Sequence, residues 1–289
     1  MIEIVKELTM NLVHGKTRIA LAVLAMTASA AASAVSTYPG GMDVQSASGS
    51  GMLFSGDPIL VGAPIVLGSS LAAIQAALDD GNPKGNPPVP ANNVELGKYG
   101  ITQGQLSGTV GGKAITLSSL NGDDWTANNN ALAYRYVAGA ANSINQGLTP
   151  DQLNAAVNSF LNNPVGTPLT NPAGLKPWNF VSDPNISYVY IDGHTVNIGL
   201  AGFYDASFAL AGLFPGLSFP AGAQVSEVVE VTVGGVHEYL FGFSATLSGV
   251  ATSDGSYSGN YNVQIPEPES LALLGIGLVG LFLRRRRTV

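Results

Sequence analysis

Residues 186–200 read ISYVYIDGHTVNIGL and carry the clearest signal for the fold. Apolar and polar side chains alternate on either side of Asp192-Gly193. This period of two predicts two strands, Ile186–Ile191 and His194–Leu200, because successive side chains of a strand point to opposite faces. An Asp-Gly pair supplies the positive φ values of a type I′ turn. The stretch therefore predicts an antiparallel hairpin.

The same pattern recurs on both sides of this hairpin. Gly234-Gly235 separates the predicted strands Val225–Val233 and Val236–Ser248, and Gly111-Gly112 divides residues 105–120 in the same way. A last strand is predicted from Tyr257 to Ile265, where apolar and polar residues again alternate. The final third of the chain is therefore predicted to be mostly strand.

Helices are predicted over Leu71–Leu78, over Ala131–Asn145, and after Thr149. The third begins with an N-cap threonine, a proline at the first helical position and Gln152 for a capping box, and it ends before Pro164. The Gly/Ser-rich residues 35–57 are predicted to begin as a loose arm. The fold class is then α+β: an antiparallel, sandwich-like β domain with a few packed helices.

The N-terminus has the three parts of a secretory signal. Basic residues precede the apolar stretch Ile19–Ala32. Ala32-Ser33-Ala34 then offers an A-x-A site for signal peptidase directly before the mature chain. We expect a signal helix within residues 1–34, export by the Sec machinery, and cleavage after Ala34. An ordinary amphipathic first helix is the alternative, but this stretch has no polar face.

The C-terminus carries a second set of signals. Pro266, Glu267 and Pro268 are followed by an apolar run that ends at four arginines, Arg284, Arg285, Arg286 and Arg287. Residues 270–283 would make a helix of about 21 Å, short of the roughly 30 Å hydrocarbon core. Cationic residues hold such an end on the cytoplasmic side. We expect a C-terminal transmembrane helix that anchors the chain temporarily in the inner membrane.

This tail resembles the PEP-CTERM sorting domain. The likeness rests on Pro266-Glu267-Pro268, the Leu/Gly-rich run from Leu271 to Leu278 and the arginine cluster, and it covers only residues 266–289. The resemblance implies a substrate of exosortase, a membrane transpeptidase-type enzyme of Gram-negative bacteria. It also implies cleavage near the tripeptide, which would be recognised and would not itself act. Delivery to the cell surface or an extracellular polysaccharide matrix would follow.

A second stretch, FVSDPNISYV at residues 180–189, resembles a core that recurs in one group of PEP-CTERM proteins. The resemblance to that group implies no activity and adds no chemistry. The chain is thus expected to divide into a signal peptide (1–34), a mature extracellular α+β domain (35–265) and a sorting and anchor segment (266–289).

Composition fits an exported protein. The whole chain has a formal charge of −7, and residues 35–265 hold five basic against 15 acidic residues, a balance of −10. Such a surface repels nucleic acid. Because the chain has no cysteine, its core must hold the fold without disulfides.

The search for catalytic chemistry is mostly negative. His194 and His237 both fall beside predicted turns and are interpreted as surface strand residues. No metalloprotease, P-loop or nucleophile-elbow motif is present, and no catalytic residue, metal or cofactor is predicted. Asp123 with Asp205 or Glu238 is the glycosidase pair one would have to test, but the sequence does not bring these residues together.

Two hypotheses follow. The first is a structural or adhesive, non-catalytic protein of the surface, the exopolysaccharide matrix or a biofilm, with exosortase as its processing partner. The alternative is a secreted carbohydrate-active hydrolase or glycan-binding protein that uses carboxylates and aromatic residues, and it requires two convergent carboxylates in a cleft.

Overall fold

The computed structural model describes residues 34–48, 54–56, 66–67, 70–80, 93–165, 174–203, 205–207, 210, 219–251 and 257–266. Its strands are β1 (Asp43–Ser48), β2 (Phe54–Gly56), β3 (Val66–Leu67), β4 (Asn93–Glu95), β5 (Gln105–Val110), β6 (Lys113–Ser118), β7 (Asn185–Asp192), β8 (Thr195–Phe203), β9 (Val229–Val233), β10 (Val236–Leu240), β11 (Thr246–Ala251) and β12 (Tyr257–Pro266).

These strands form two antiparallel sheets. One has the order β1-β5-β6-β9-β10, and the other has the order β11-β12-β8-β7-β4-β2-β3. Aliphatic side chains of both sheets share one core, which includes Leu117 and Val231 from the five-stranded sheet and Ile198 and Val263 from the seven-stranded sheet. The predicted antiparallel, sandwich-like arrangement is confirmed for the described residues.

The hairpin turns follow the predicted pattern with one correction. Gly111-Gly112 and Gly234-Gly235 both have positive φ at each residue, as type I′ turns require. The β7–β8 turn is different, because Asp192 pairs with Thr195 and leaves Gly193-His194 as the two turn residues. Only Gly193 has a positive φ (60°), which is the pattern of a type II′ turn. The predicted Asp192-Gly193 type I′ turn was therefore wrong by one residue.

The prediction that residues 35–57 begin as a loose arm was wrong for residues 43–48, which form β1. The chain enters the five-stranded sheet as β1, and Met42 and Val44 are buried in the core. Gln75 holds this strand, because its Oε1 accepts from Val44 N at 2.9 Å and its Nε2 donates to Met42 O at 2.9 Å. Strand formation here depends on a distant helix. The local Gly/Ser-rich composition does not reveal this contact and therefore suggested a loop.

The predicted strand pair Val225–Val233 and Val236–Ser248 was too long. β9 begins at Val229, and β10 ends at Leu240, after which β11 belongs to the other sheet. Phe241 lies instead against Tyr136, with ring centroids 5.1 Å apart. Packing against a helix therefore ends the run that alternation alone would extend.

The helices are α1 (Leu71–Asp80), α2 (Gly122–Ser143) and α3 (Pro150–Asn162), and a short 3-10 helix follows them at Pro177–Val181. The capping box at Thr149 is present as predicted. α2 begins at Gly122, where Asn121 caps it, and this first turn was not predicted. Residues 127–130 interrupt α2 with non-helical backbone, so its longer second part begins at the predicted Ala131. Trp125, Tyr136 and Phe160 form the centre of a second, helix-lined cluster.

The expected signal helix and C-terminal transmembrane helix lie outside the described residues, apart from Ala34 and Pro266. Within the ranges that the structure describes, no helix combines the length and apolar character that a membrane crossing requires.

Candidate sorting site and buried carboxylate cluster

The last strand carries the start of the predicted sorting segment. β12 pairs with β8 along its length, with Ile265 opposite Val196 and Pro266 opposite Thr195. Tyr261, Val263 and Ile265 point into the core, and Ile265 is only 2% exposed. The predicted strand is confirmed and extends one residue further, so that Pro266 is its final, exposed residue.

The other predicted sorting residues lie beyond what the structure describes. Glu267, Pro268 and the arginine cluster from Arg284 to Arg287 fall in residues 267–289, and Ala32 falls in residues 1–33. Ala34 is described, and its N–H donates to Val44 O at 2.9 Å. The predicted cleavage after Ala34 therefore falls directly beside the isolated β-bridge between Ala34 and Val44.

Comparison with known families identifies a PEP-CTERM protein-sorting motif at residues 264–287. Searches among curated proteins and among solved structures found no match to the chain. The motif implies an exported protein with a C-terminal sorting signal and exosortase as its processing partner. Its first residues, Gln264 to Pro266, are the end of β12.

The second resembling stretch, residues 180–189, is the point where several parts of the fold meet. Its backbone carbonyls accept hydrogen bonds from three separate segments: Val181 from Val228, Ser182 from Leu120 and Pro184 from Leu96. The Ser182 hydroxyl accepts from Trp125 Nε1 at 2.8 Å and donates to Trp178 O at 2.6 Å. The polar residues of this stretch therefore act as ties within the fold.

Asp183 belongs to a group of four ionisable residues, Glu95, Lys98, Asp183 and Glu227, which we call the carboxylate cluster. Lys98 Nζ contacts Glu95 Oε1 and lies 3.4 Å from Asp183 Oδ2. Tyr99 N donates to the same Asp183 oxygen at 3.0 Å. The side chains of Glu95 and Asp183 are 2% and 4% exposed, and that of Lys98 is 33% exposed. The lysine thus reaches from the surface into a buried pair of carboxyl groups.

Glu227 joins this cluster through Asn185. The backbone N–H and the side-chain amide of Asn185 donate to Glu227 Oε2 at 2.9 and 3.1 Å. Glu227 precedes β9 of one sheet, and Asn185 begins β7 of the other. The cluster therefore connects the two sheets at one end of the sandwich.

Burial dominates the protonation of the carboxyl groups. It raises the pKa of Glu95 to about 7, against the opposing charge of Lys98. It also raises the pKa of Asp183, although Lys98 and the backbone N–H of Tyr99 oppose this change. Burial, together with the charges of Asp183 and Glu95, raises the pKa of Glu227 well above its usual value. Near neutral pH the cluster therefore retains protons that exposed carboxyl groups would lose.

The pKa of Lys98 changes in the direction opposite to the effect of its burial. Burial by itself would lower its pKa, but the charges of Asp183 and Glu95 outweigh it, and the pKa of Lys98 is raised. The ammonium therefore stays charged and neutralises part of the cluster. Within the described ranges, no three His, Cys, Asp or Glu side chains are arranged to hold a metal ion.

Among the carboxylates considered in the sequence, Asp205 and Glu238 have separate local partners. Asp123 lies in the first turn of α2, where its N–H donates to Asn121 Oδ1 at 2.7 Å. Asp205 Oδ1 accepts from Ser207 N at 2.9 Å, and Glu238 lies 4.0 Å from Arg135 on the surface. The carboxylates of Asp205 and Glu238 are therefore engaged locally, and Asp123 lies at the N-terminus of α2.

The described histidines, His194 and His237, lie at a turn and on an edge strand, and two of the aromatic residues lie in the cores. His194 forms the β7–β8 turn, and His237 lies on edge strand β10, where its Nε2 is 2.7 Å from Glu230 Oε1. Trp125 and Tyr261 are fully buried. These aromatic rings stabilise the two cores.

Sequence reasoning missed Glu95, Lys98 and Glu227. Two signals were available: Lys98 is one of five basic residues in 35–265, and both glutamates sit in apolar surroundings, Val94-Glu95-Leu96 and Glu227-Val228-Val229. A charged residue inside an apolar run indicates a buried partner. The partner itself depends on the tertiary fold, because residues 95 and 183 are far apart in the chain.

Proposed function

We propose that this chain is an exported bacterial protein of the cell surface or the exopolysaccharide matrix, processed by exosortase at its C-terminal motif. Its mature domain is structural or adhesive and has no catalytic role. The observation that carries this proposal is the sorting motif at 264–287, which continues directly from the last strand of a folded sandwich. The inner membrane holds the precursor only until processing.

Two features of the domain support a non-catalytic role. The side chains of Glu95 and Asp183 are almost fully buried and already bound by Lys98, so a substrate has no access to them without displacing the lysine. The polar residues of 181–185 are engaged in hydrogen bonds that join distant segments. An acidic domain suits a hydrated polysaccharide matrix.

Deletion of the gene, with matrix and floc phenotyping, tests the structural role. We expect loss of matrix cohesion, restored by the full chain and not by a chain that ends at Ile265. The truncated chain keeps the export signal and lacks the sorting motif, so it separates secretion from sorting. Restoration by the truncated chain, or a matrix unaffected by the deletion, would contradict the proposal.

The alternative is a secreted carbohydrate-active hydrolase or glycan-binding protein. It is favoured by the raised pKa values of Glu95, Asp183 and Glu227, since perturbed carboxyl groups gather at active sites. Binding and hydrolysis assays with polysaccharides separate the two proposals. Activity that disappears in Glu95→Gln but persists in the exposed control Glu238→Gln would favour the enzyme.

A further inference from the structure

The sorting motif begins inside the folded sheet. Its first residues, Gln264, Ile265 and Pro266, are opposite Asn197, Val196 and Thr195 of β8. Ile265 is 2% exposed in the core between the sheets, and Gln264 Nε2 donates to Asn197 Oδ1 at 2.8 Å. The fold therefore holds the residues directly before the Pro-Glu-Pro tripeptide.

A peptide-cleaving enzyme binds its substrate as an extended chain on both sides of the bond it cuts, as in other modes of extended-peptide recognition. A motif that starts at Gln264 is available in full only if the end of β12 leaves β8. Local openings of this kind occur in native proteins, and their free energy is lower at the end of a strand than at its centre.

We propose that release of the β12 terminus from β8 controls access of the processing enzyme to the sorting motif. This inference rests on the proposed function, because it requires processing at 264–287. When opening and closing are fast compared with cleavage, the rate follows the population of the open form. The sandwich then sets how quickly the protein is sorted, and a chain whose sheet is incomplete is processed at a different rate from a folded one.

The test compares two matched variants of the full-length precursor. Val196→Ala removes a buried contact opposite Ile265 and leaves the motif unchanged. Val233→Ala removes an equally buried valine from the five-stranded sheet and serves as the control for general loss of stability. In cells with exosortase, we expect Val196→Ala to be processed about three to ten times faster than wild type, and Val233→Ala to stay close to wild type.

A spacer variant keeps the test valid if either substitution prevents folding. A flexible Gly/Ser spacer inserted between Ile265 and Pro266 moves the tripeptide away from the sheet while β12 stays complete, and we expect faster processing. Wild-type rates for both Val196→Ala and the spacer variant would overturn the inference while leaving processing itself intact. A wild-type chain that is never processed would overturn the proposed function, and the inference with it.

Discussion

The carboxylate cluster and the end of β12 differ in the contacts that hold them in the fold. In the cluster, Lys98 and Asn185 bind buried carboxyl groups from separate parts of the chain. At the end of β12, Pro266 is exposed, and the buried side chain of Ile265, the Gln264–Asn197 hydrogen bond and the pairing with β8 hold the strand in place. The cluster thus joins distant parts of the fold, whereas the sorting motif begins in a terminal strand.

This difference teaches that a perturbed pKa is an insufficient sign of chemistry. Structural ion pairs shift pKa values as active sites do. Access of a substrate is a second criterion, and the side chains of Glu95 and Asp183 are only 2% and 4% exposed.

Lys98→Met should have the largest effect on stability. It removes the cation that contacts Glu95 and Asp183, so each buried carboxyl group must either take up a proton or carry an uncompensated charge. We expect a loss of about 2 to 4 kcal/mol in the free energy of unfolding, at the lower end because a third of the lysine side chain is exposed. Urea denaturation of the purified domain measures it.

The matched control is the exposed pair of Arg135 and Glu238. Glu238→Gln should change stability by about 0 to 1 kcal/mol, since exposed pairs contribute little. Equal losses in Lys98→Met and Glu238→Gln would show that the cluster does not hold the two sheets together.

The pH dependence of stability should be the next largest effect. Glu95 has a folded pKa of about 7 against an ordinary 4.5, so the folded state binds more protons between these values. Its contribution to stability is complete below pH 4.5 and is lost as pH rises through 7, by about 3 kcal/mol. Asp183 and Glu227 act in the same direction.

We therefore expect the domain to unfold at lower urea concentration at pH 8 than at pH 5.5. Glu95→Gln should flatten this dependence, because the amide does not titrate. A domain that becomes more stable from pH 5.5 to pH 8 would mean that ionised carboxylates are favoured in the cluster.

Ser182→Ala should have an intermediate effect. It leaves the buried Trp125 N–H without its 2.8 Å partner and removes the bond to Trp178 O. A loss of about 1 to 3 kcal/mol is expected for an unsatisfied buried donor. Thermal unfolding measures it, and Ser182→Thr, which keeps the hydroxyl, is the control. If Ser182→Ala leaves the stability unchanged, the hydrogen bonds of residues 181–185 are not important for holding the fold together.

Gln264→Ala should have the smallest effect. It removes a side-chain hydrogen bond to Asn197 Oδ1 at the exposed face of β12. We expect a change within about 0.5 kcal/mol, as for most surface substitutions. A loss as large as that of Ser182→Ala would show that the end of β12 is tied as firmly as the interior, and would weaken the comparison.

Local patterns predicted much of the fold. Alternation predicted the β7–β8 hairpin and β12, and the Thr149 capping box predicted the start of α3. These features depend on neighbours in the chain. β1 was missed because its strand depends on Gln75 of α1, and the end of β10 was missed because Phe241 turns towards Tyr136.

The sorting site was predictable and the carboxylate cluster was not. Pro266, Glu267 and Pro268 are contiguous in the sequence and lie within the motif matched at residues 264–287. The cluster joins Glu95, Lys98, Asp183 and Glu227 only after both sheets have assembled, so no spacing in the sequence encodes it. Asp183 alone was noticed, because it lies in the stretch at residues 180–189.

The intact mass of the protein recovered from the cell surface tests the central claim most directly. The account predicts a chain that begins near Val35 and has lost the segment beyond the Pro266-Glu267-Pro268 motif, in cells that contain exosortase. The same measurement in cells without exosortase should show the tail retained. Surface protein that keeps its arginine cluster, or full-length protein found only in membranes when exosortase is present, would contradict the account.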